Sequence, residues 1–508
     1  MKERLLFLAL ILFYLVPIWA VDYLPTVDGP CHTENAWIIR QHGNGDEFPQ
    51  FDRLYTIDWR PLPNWLSHAV LALLMLVVEP RIAEKILVSG YIVLLPAAAR
   101  YAAGAVDPER KWLGFLAFPL VYNLLFQDGF YNFSFSLAFW LFAIGYWWRR
   151  RASPDAGFAV RINLLLLACW FCHIVSLVLA LFAIGVLWFA SLLQTWRVRT
   201  HWKRHLLHVL ILAPQLILPF WFVARHPGSA GPSFLSTAAL VKFLFGLEVL
   251  SFFGAPQLWI GRVLAVAFLL FLVLTLAGRV RREDGRLRVD VREEDGFLLL
   301  SLLLVAVFFA SPQGMSGGYL LKERLALYPW LALLPWLAPR LPERPGLPLR
   351  AAAIGSLAAL ALWSAGCVLR QYQAVEPAIL AYLRPTEHIR PNSRVLPLFS
   401  EYGPYGLYRH LIGYTAVEKG LIDWNNYQAV TKLFPIRFRR RPEILWWVAR
   451  EPGVVDVRSP DLKARVDYVY AWNLNPGSLQ ARHLRRHYRL VYKEGPGSLY
   501  MPKRGRPP

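Results

Sequence analysis

The chain has 508 residues, 56% of them hydrophobic, and a formal net charge of +21. Its mean hydropathy of +0.35 is well above that of a soluble domain and points to a polytopic membrane protein. The basic balance does not indicate nucleic acid: many Arg and Lys residues sit in short loops beside apolar runs, where they orient spans, and no nucleic-acid motif accompanies them.

The first apolar run, Leu5–Val21, follows Lys2 and Arg4 and lacks a small-x-small cleavage site, so it reads as an uncleaved anchor. A polar stretch, Asp22–Pro63, comes next and carries Asp28-Gly29-Pro30-Cys31-His32-Thr33-Glu34, three ionisable side chains in seven residues. Leu66–Val78 follows Pro61 and Pro63 and ends at Glu79-Pro80. Its apolar part would make a helix of roughly 20 Å against ~30 Å of hydrocarbon, so it is expected to lie along the outer interface. Crossings are expected near 4–21, 83–101, 112–127, 131–148, 158–174, 176–193, 205–224, 257–278, 296–311, 325–339 and 349–370. That makes about eleven spans, with Phe234–Phe253 as an outer amphipathic segment. The basic loops Arg149–Arg151, Arg197–Arg204 and Arg279–Arg292 are placed inside with the N-terminus, and the C-terminal region outside.

The expected fold is mostly α: a transmembrane bundle over 1–370, with 22–82 as its first outer loop, and a small extracytoplasmic α/β domain over 371–508. Strands are expected at Ser393–Pro397, Val466–Tyr470, Tyr488–Tyr492 and Ser498–Met501, with Glu494-Gly495-Pro496-Gly497 as a hairpin turn. Ile444–Ala449 reads as a helix and Met501–Pro508 as a disordered tail. The four cysteines, Cys31, Cys169, Cys172 and Cys367, show neither disulfide nor zinc spacing.

On this topology the outer face collects Asp28, His32, Glu34 and Asp58 from the first loop, Asp128 from the second and His173 from a turn. Lys322 and Arg324 come from a late loop. Charges beside hydrocarbon are costly and point to function. Each also has a structural reading. Asp28 can cap its Gly-Pro turn, His32 can bond its neighbours, and Glu34 can sit at the start of a helix Asn35–Gln41. Asp128 and His173 can be ordinary loop residues, and Lys322 and Arg324 can snorkel to head groups.

These features resemble the GT-C superfamily of membrane glycosyltransferases. The resemblance rests on Asp28 soon after the first span, Pro61-Leu62-Pro63-Asn64-Trp65-Leu66 entering the interfacial helix, and Arg81 leading into the next span. Lys322-Glu323-Arg324 and the segments Val466–Tyr470 and Tyr488–Tyr492 complete it. Gly29 follows Asp28 where protein-mannosyltransferase-like members carry an Asp-Glu pair. The resemblance implies a polyprenyl-phosphate-linked sugar donor, a lipid or glycan acceptor of the cell envelope, and inversion at the outer face of a bacterial inner membrane. It implies Asp28 as general base with His32 beside it, and Lys322 and Arg324 for phosphate. Asp128, Glu34, His173 and Asp58 would line the substrate. A divalent metal on Asp28, His32 and Asp128 stays an open alternative, with no other cofactor. A transporter or flippase is the rival class, although its ionisable groups are expected near the midplane and not at one face. A non-catalytic scaffold of the same fold is a third reading.

Overall fold

The computed structural model describes residues 2–226, 235–283, 286–314, 318–339, 348–400, 403–431, 433–439, 457–458 and 460–503. The chain divides into two compact units. The first comprises Met1–Pro17, Ser89–Gln127 and Tyr131–Leu369; the second Ile18–Val88, Asp128–Phe130 and Arg370–Pro508. The stretch expected as a loop of the membrane bundle thus belongs with the C-terminal residues, and the reason is packing. Its helix Gly29–Gln41 lies against the C-terminal helix Ile412–Lys419, and its short strand pairs with a late one.

In chain order, the helix α1 (Lys2–Trp19) is followed by α2 (Gly29–Gln41), whose first turn holds Pro30, a position where a missing N–H costs nothing. Next come α3 (Pro49–Leu54), β1 (Tyr55–Ile57) and α4 (Leu66–Leu74). The last buries Ser67, His68 and Leu71 while Leu73, Leu76 and Val77 in and after it are exposed. α5 (Pro80–Val106) is long and apolar. Residues 112–127, expected as a crossing, are instead broken into a 3-10 segment Pro108–Ala117, α6 (Phe118–Val121) and α7 (Leu124–Gln127). Asn123 explains the break: its amide donates to the Leu120 carbonyl (2.8 Å) and accepts from the Phe126 N–H (3.1 Å), competing with helix bonds.

The helices α8 (Tyr131–Arg150), α9 (Ala156–Cys172), α10 (Ile174–Thr195), α11 (Arg199–Leu212), α12 (Ile217–Arg225), α13 (Thr237–Phe245) and α14 (Ala255–Ala277) follow. A hairpin of β2 (Val280–Glu283) and β3 (Arg286–Val289) leads to α15 (Asp295–Ala310). The expected crossing 325–339 is two short pieces, α16 (Leu321–Leu325) and α17 (Tyr328–Leu333), with Pro329 and Pro335 denying it a continuous ladder. α18 (Leu349–Leu383) is the longest element. Five described helices are long and apolar enough to cross a membrane: Pro80–Val106, Ile174–Thr195, His201–Arg225, Ala255–Ala277 and Leu349–His388. Within the first unit, Ser176 of α10 joins Ser136 of α8 (2.5 Å) and Tyr328 of α17 (2.6 Å), buried hydroxyls that glue apolar helices together. At the ends of these helices the basic loops find acids: Arg279 bonds Glu294 (2.8 Å) and Asp295 (2.6 Å), Arg110 bonds Glu294 (2.7 Å), and Arg151 bonds Glu293 (2.7 Å).

The second unit continues with β4 (Arg394–Phe399), α19 (Ile412–Lys419), β5 (Ile422–Asp423), α20 (Tyr427–Val430) and β6 (Ile436–Phe438). It ends with α21 (Pro460–Arg465), β7 (Tyr468–Trp472), α22 (Leu479–His487), β8 (Tyr488–Glu494) and β9 (Gly497–Pro502). Among the described residues, five strands form one sheet in the order β5-β4-β7-β9-β8, parallel up to β7 and antiparallel beyond it. The expected turn between the last two strands is present, and Met501 and Pro502 belong to β9, not to a tail. The expected helix Ile444–Ala449 and the chain beyond 503 lie outside the described residues. The core of this unit joins Leu396, Leu398, Val469 and Ala471 of the sheet to Ile38 of α2, Tyr55 of β1 and Phe438 of β6. A Cβ on Gly413 of α19 would stand 2.7 Å from the Pro30 carbonyl, so glycine there permits α19 to seat against the start of α2.

Candidate functional site

The residues that could carry chemistry gather on α2 of the second unit. Asp28 precedes the helix, and spacings of four and seven put His32 and Asn35 on its face. As the residue before the helix, Asp28 could cap it, but its side chain makes no cap bond. The carboxylate is used elsewhere: Tyr427 O–H donates to Oδ2 (2.7 Å), and His410 Nε2 stands 3.6 Å from Oδ1. Asp28 is only 6% exposed. Asp28 N–H donates to the Asp128 carbonyl (3.0 Å). Gly129, at φ +82°, would put a Cβ 2.6 Å from Gly29 N, so glycine is required where this turn presses on the start of α2.

Behind Asp28 lies a buried polar network. Gln428 Nε2 donates to the Tyr427 hydroxyl (3.2 Å), and Gln428 Oε1 meets Asn35 Nδ2 (2.8 Å) and His68 Nε2 (3.0 Å). His68 Nε2 is also 3.2 Å from His32 Nδ1, and His68 Nδ1 is 2.9 Å from the Asn64 carbonyl. Phe434 covers the His32, His68 and Tyr427 rings edge-on. Burial pushes the Tyr427 phenol well above its ordinary value, with the Asp28 charge adding to it, so it stays a donor. Burial, then the neighbouring His68 and His410, hold His32 well below the ordinary imidazole value. His410 is held down to about 3 by burial and Arg409, so its approach to Asp28 is that of a neutral ring and not an ion pair.

The other expected residues divide. Glu34 is not at a helix start: it is mid-helix, 1% exposed, and within the field of Asp423 of β5. Burial and the Asp423 charge push Glu34 well above the carboxylate range, and burial raises Asp423 too, so the pair holds a proton inside the core. Cys31 beside them is likewise pushed up and is not a ready thiolate. Asp58 pairs with Arg60 (2.6 Å) and Arg437; these bonds overcome burial and keep its carboxyl below the ordinary range. His173, Lys322 and Arg324 belong to the first unit. His173 Nδ1 accepts the Val175 N–H (3.3 Å), which caps α10. Lys322 Nζ donates to the Phe308 carbonyl (3.0 Å) at the end of α15, and Arg324 lies 5.7 Å over the Phe133 ring and donates to the Tyr319 carbonyl. Among the described residues, no group of three or more His, Cys, Asp or Glu side chains is placed to hold a metal ion, so Asp28, His32 and Asp128 do not fit that role.

Sequence reasoning gave no role to His68, His410, Tyr427 or Gln428. The signal was present as a polar island, Asp423-Trp424-Asn425-Asn426-Tyr427-Gln428, between apolar neighbours, and as a histidine on the buried side of a short apolar helix.

No protein-family model and no curated protein matches the chain. The solved crystal structure of ArnT from Cupriavidus metallidurans bound to undecaprenyl phosphate is similar over 98% of this chain and 97% of its own, at 13% identity and a TM-score of 0.47. It assigns no residue of this chain a role.

Proposed function

We propose that this protein is a membrane glycosyltransferase that moves a sugar from a polyprenyl-phosphate-linked donor to a hydroxyl of a lipid or glycan acceptor in the cell envelope. The reaction takes place at the outer face of a bacterial cytoplasmic membrane. One observation carries the reading: a carboxylate at the start of a helix is withheld from capping it and is held instead by Tyr427. It does so in a chain whose apolar helices suit a lipid-borne donor.

The step is a single displacement. Asp28 accepts the proton of the acceptor hydroxyl while that oxygen bonds to the anomeric carbon, and the bond from this carbon to the donor phosphate breaks with its electron pair on the phosphate oxygen. One displacement inverts the carbon. Tyr427 orients the base, and Gln428 orients Tyr427. The neutral His410 ring narrows the positions from which a hydroxyl can approach.

The test is Asp28→Asn in proteoliposomes supplied with polyprenyl-phosphate sugars. Transfer is expected to fall by about 10²–10⁴-fold with thermal unfolding unchanged, the range of a lost general base. Unchanged turnover would remove Asp28 from the chemistry. A wild-type protein inert with every donor would favour the scaffold reading.

A further inference from the structure

The network behind Asp28 contains more than a base requires, and its hydrogen bonds can be directed from a fixed donor outward. The Ala429 N–H can only donate, and it donates to Asn426 Oδ1 (3.2 Å). Asn426 therefore turns its Nδ2 to Asn35 Oδ1 (2.8 Å), and Asn35 turns its Nδ2 to Gln428 Oε1 (2.8 Å). Gln428 Oε1 is thereby fixed as an oxygen facing His68 Nε2 at 3.0 Å. The other ring nitrogen of His68 faces the Asn64 carbonyl at 2.9 Å. Both nitrogens meet oxygen acceptors, and only a doubly protonated imidazole donates from both.

The far side of Gln428 continues in one direction. Its Nε2 donates to the Tyr427 hydroxyl (3.2 Å), and Tyr427 O–H donates to Asp28 Oδ2 (2.7 Å). Every donor from His68 to Asp28 points the same way, so each bond polarises the next. We infer that His68 is a buried imidazolium that serves as the remote counter-charge of Asp28, acting through Gln428 and Tyr427. The inference rests on the role proposed above for Asp28.

The surrounding titratable groups are consistent with one proton held at this place. His32 on α2, 3.2 Å from His68 Nε2, is kept neutral by burial and then by His68 itself. His410, before α19, is neutral, and the Tyr427 phenol on α20 is protonated. Burial outweighs the bonds to Gln428 and Asn64 and holds the His68 ring below the ordinary imidazole value; the second proton is assigned on geometry alone, from the oxygen acceptor facing each ring nitrogen. His68 is a positioning residue in this scheme.

The experiment is nitrogen NMR on the full-length protein in nanodiscs with its 12 histidines labelled. The His68 signals are assigned by their loss in His68→Gln, with His68→Asn as a second variant should the first not fold. The expected result at neutral pH is that both ring nitrogens of His68 are protonated. An unprotonated nitrogen on His68 overturns the inference. The readout does not depend on turnover, so an imidazolium in a protein that transfers nothing supports this inference and counts against the enzyme reading alone. In active protein, His68→Asn is expected to move the acid limb of the rate profile up by about one pH unit, because losing an opposite charge makes the base easier to protonate. A loss of rate that is uniform with pH would mark a structural role and overturn it.

Discussion

Tyr427→Phe is the sharpest perturbation of this site, because it deletes one hydroxyl and leaves the ring. The ring keeps its packing against His410 (centroids 4.8 Å apart) and Phe434 (5.9 Å), so the local fold has little reason to change. What is lost is the 2.7 Å bond to the Asp28 carboxylate, together with the 3.2 Å bond that Gln428 Nε2 donates to the same hydroxyl. Hydrogen bonds to a charged group contribute about 1.5–3 kcal/mol. The bond favours the ionised base, so its loss makes protonation easier. At 1.36 kcal/mol per unit, the acid limb of kcat/KM should rise by about one to two pH units. At alkaline pH, where the base is ionised in either protein, the two rates should converge. The assay is sugar transfer in proteoliposomes followed from about pH 5 to 9, spanning the range in which a shifted carboxylate titrates. An acid limb that stays in place while the rate drops equally at every pH would refute the reasoning, because Tyr427 would then act through packing and not through Asp28.

Gly129→Ala must strain a positive-φ position and drive a Cβ into Gly29 N, so it should lower stability by roughly 2 kcal/mol or more and lower the unfolding temperature; an unchanged transition would remove the close approach. Glu34 and Asp423 have folded values raised above ordinary ones, so the stability they contribute is complete at acid pH and lost as pH rises through about 7. Glu34→Gln, a permanent neutral mimic, should therefore flatten the fall in melting temperature between acid and alkaline buffer; an equally steep fall would show that the pair does not hold the proton. A cysteine at Gly477 should be labelled by an impermeant reagent from outside intact cells and one at Ser153 should not; the reverse pattern would invert the proposed topology.

Much of the architecture follows from composition along the chain. Apolar runs long enough to span become α5, α10, α14 and α18, because a backbone in hydrocarbon must satisfy its own hydrogen bonds and a helix does so locally. The strands β4, β7, β8 and β9 also lie where β-forming residues cluster between turn residues, and Gly495 takes the φ of +51° that the last hairpin requires. Local chemistry interrupts the helix in two of the expected crossings, since Asn123, Pro329 and Pro335 spend or remove the bonds a continuous helix needs. Asp28 and His32 could be singled out from seven consecutive residues because ionisable groups beside apolar runs are costly.

What they do could not be read there. Their partners His68, His410, Tyr427 and Gln428 come from stretches 36 to almost 400 residues away. Only the packing of α4, α19 and α20 around α2 brings these groups within hydrogen-bonding distance. The same packing sent Glu34 inward to Asp423 and tied Asp58 to Arg60 and Arg437, although in the sequence they look equivalent to Asp28. Sequence alone decided which segments are apolar, where charge is concentrated and which local turns form, because those depend on neighbours along the chain. Which carboxylate is capped, paired, protonated or held ready depends on desolvation and on donors from remote segments, and those exist only after the chain has folded.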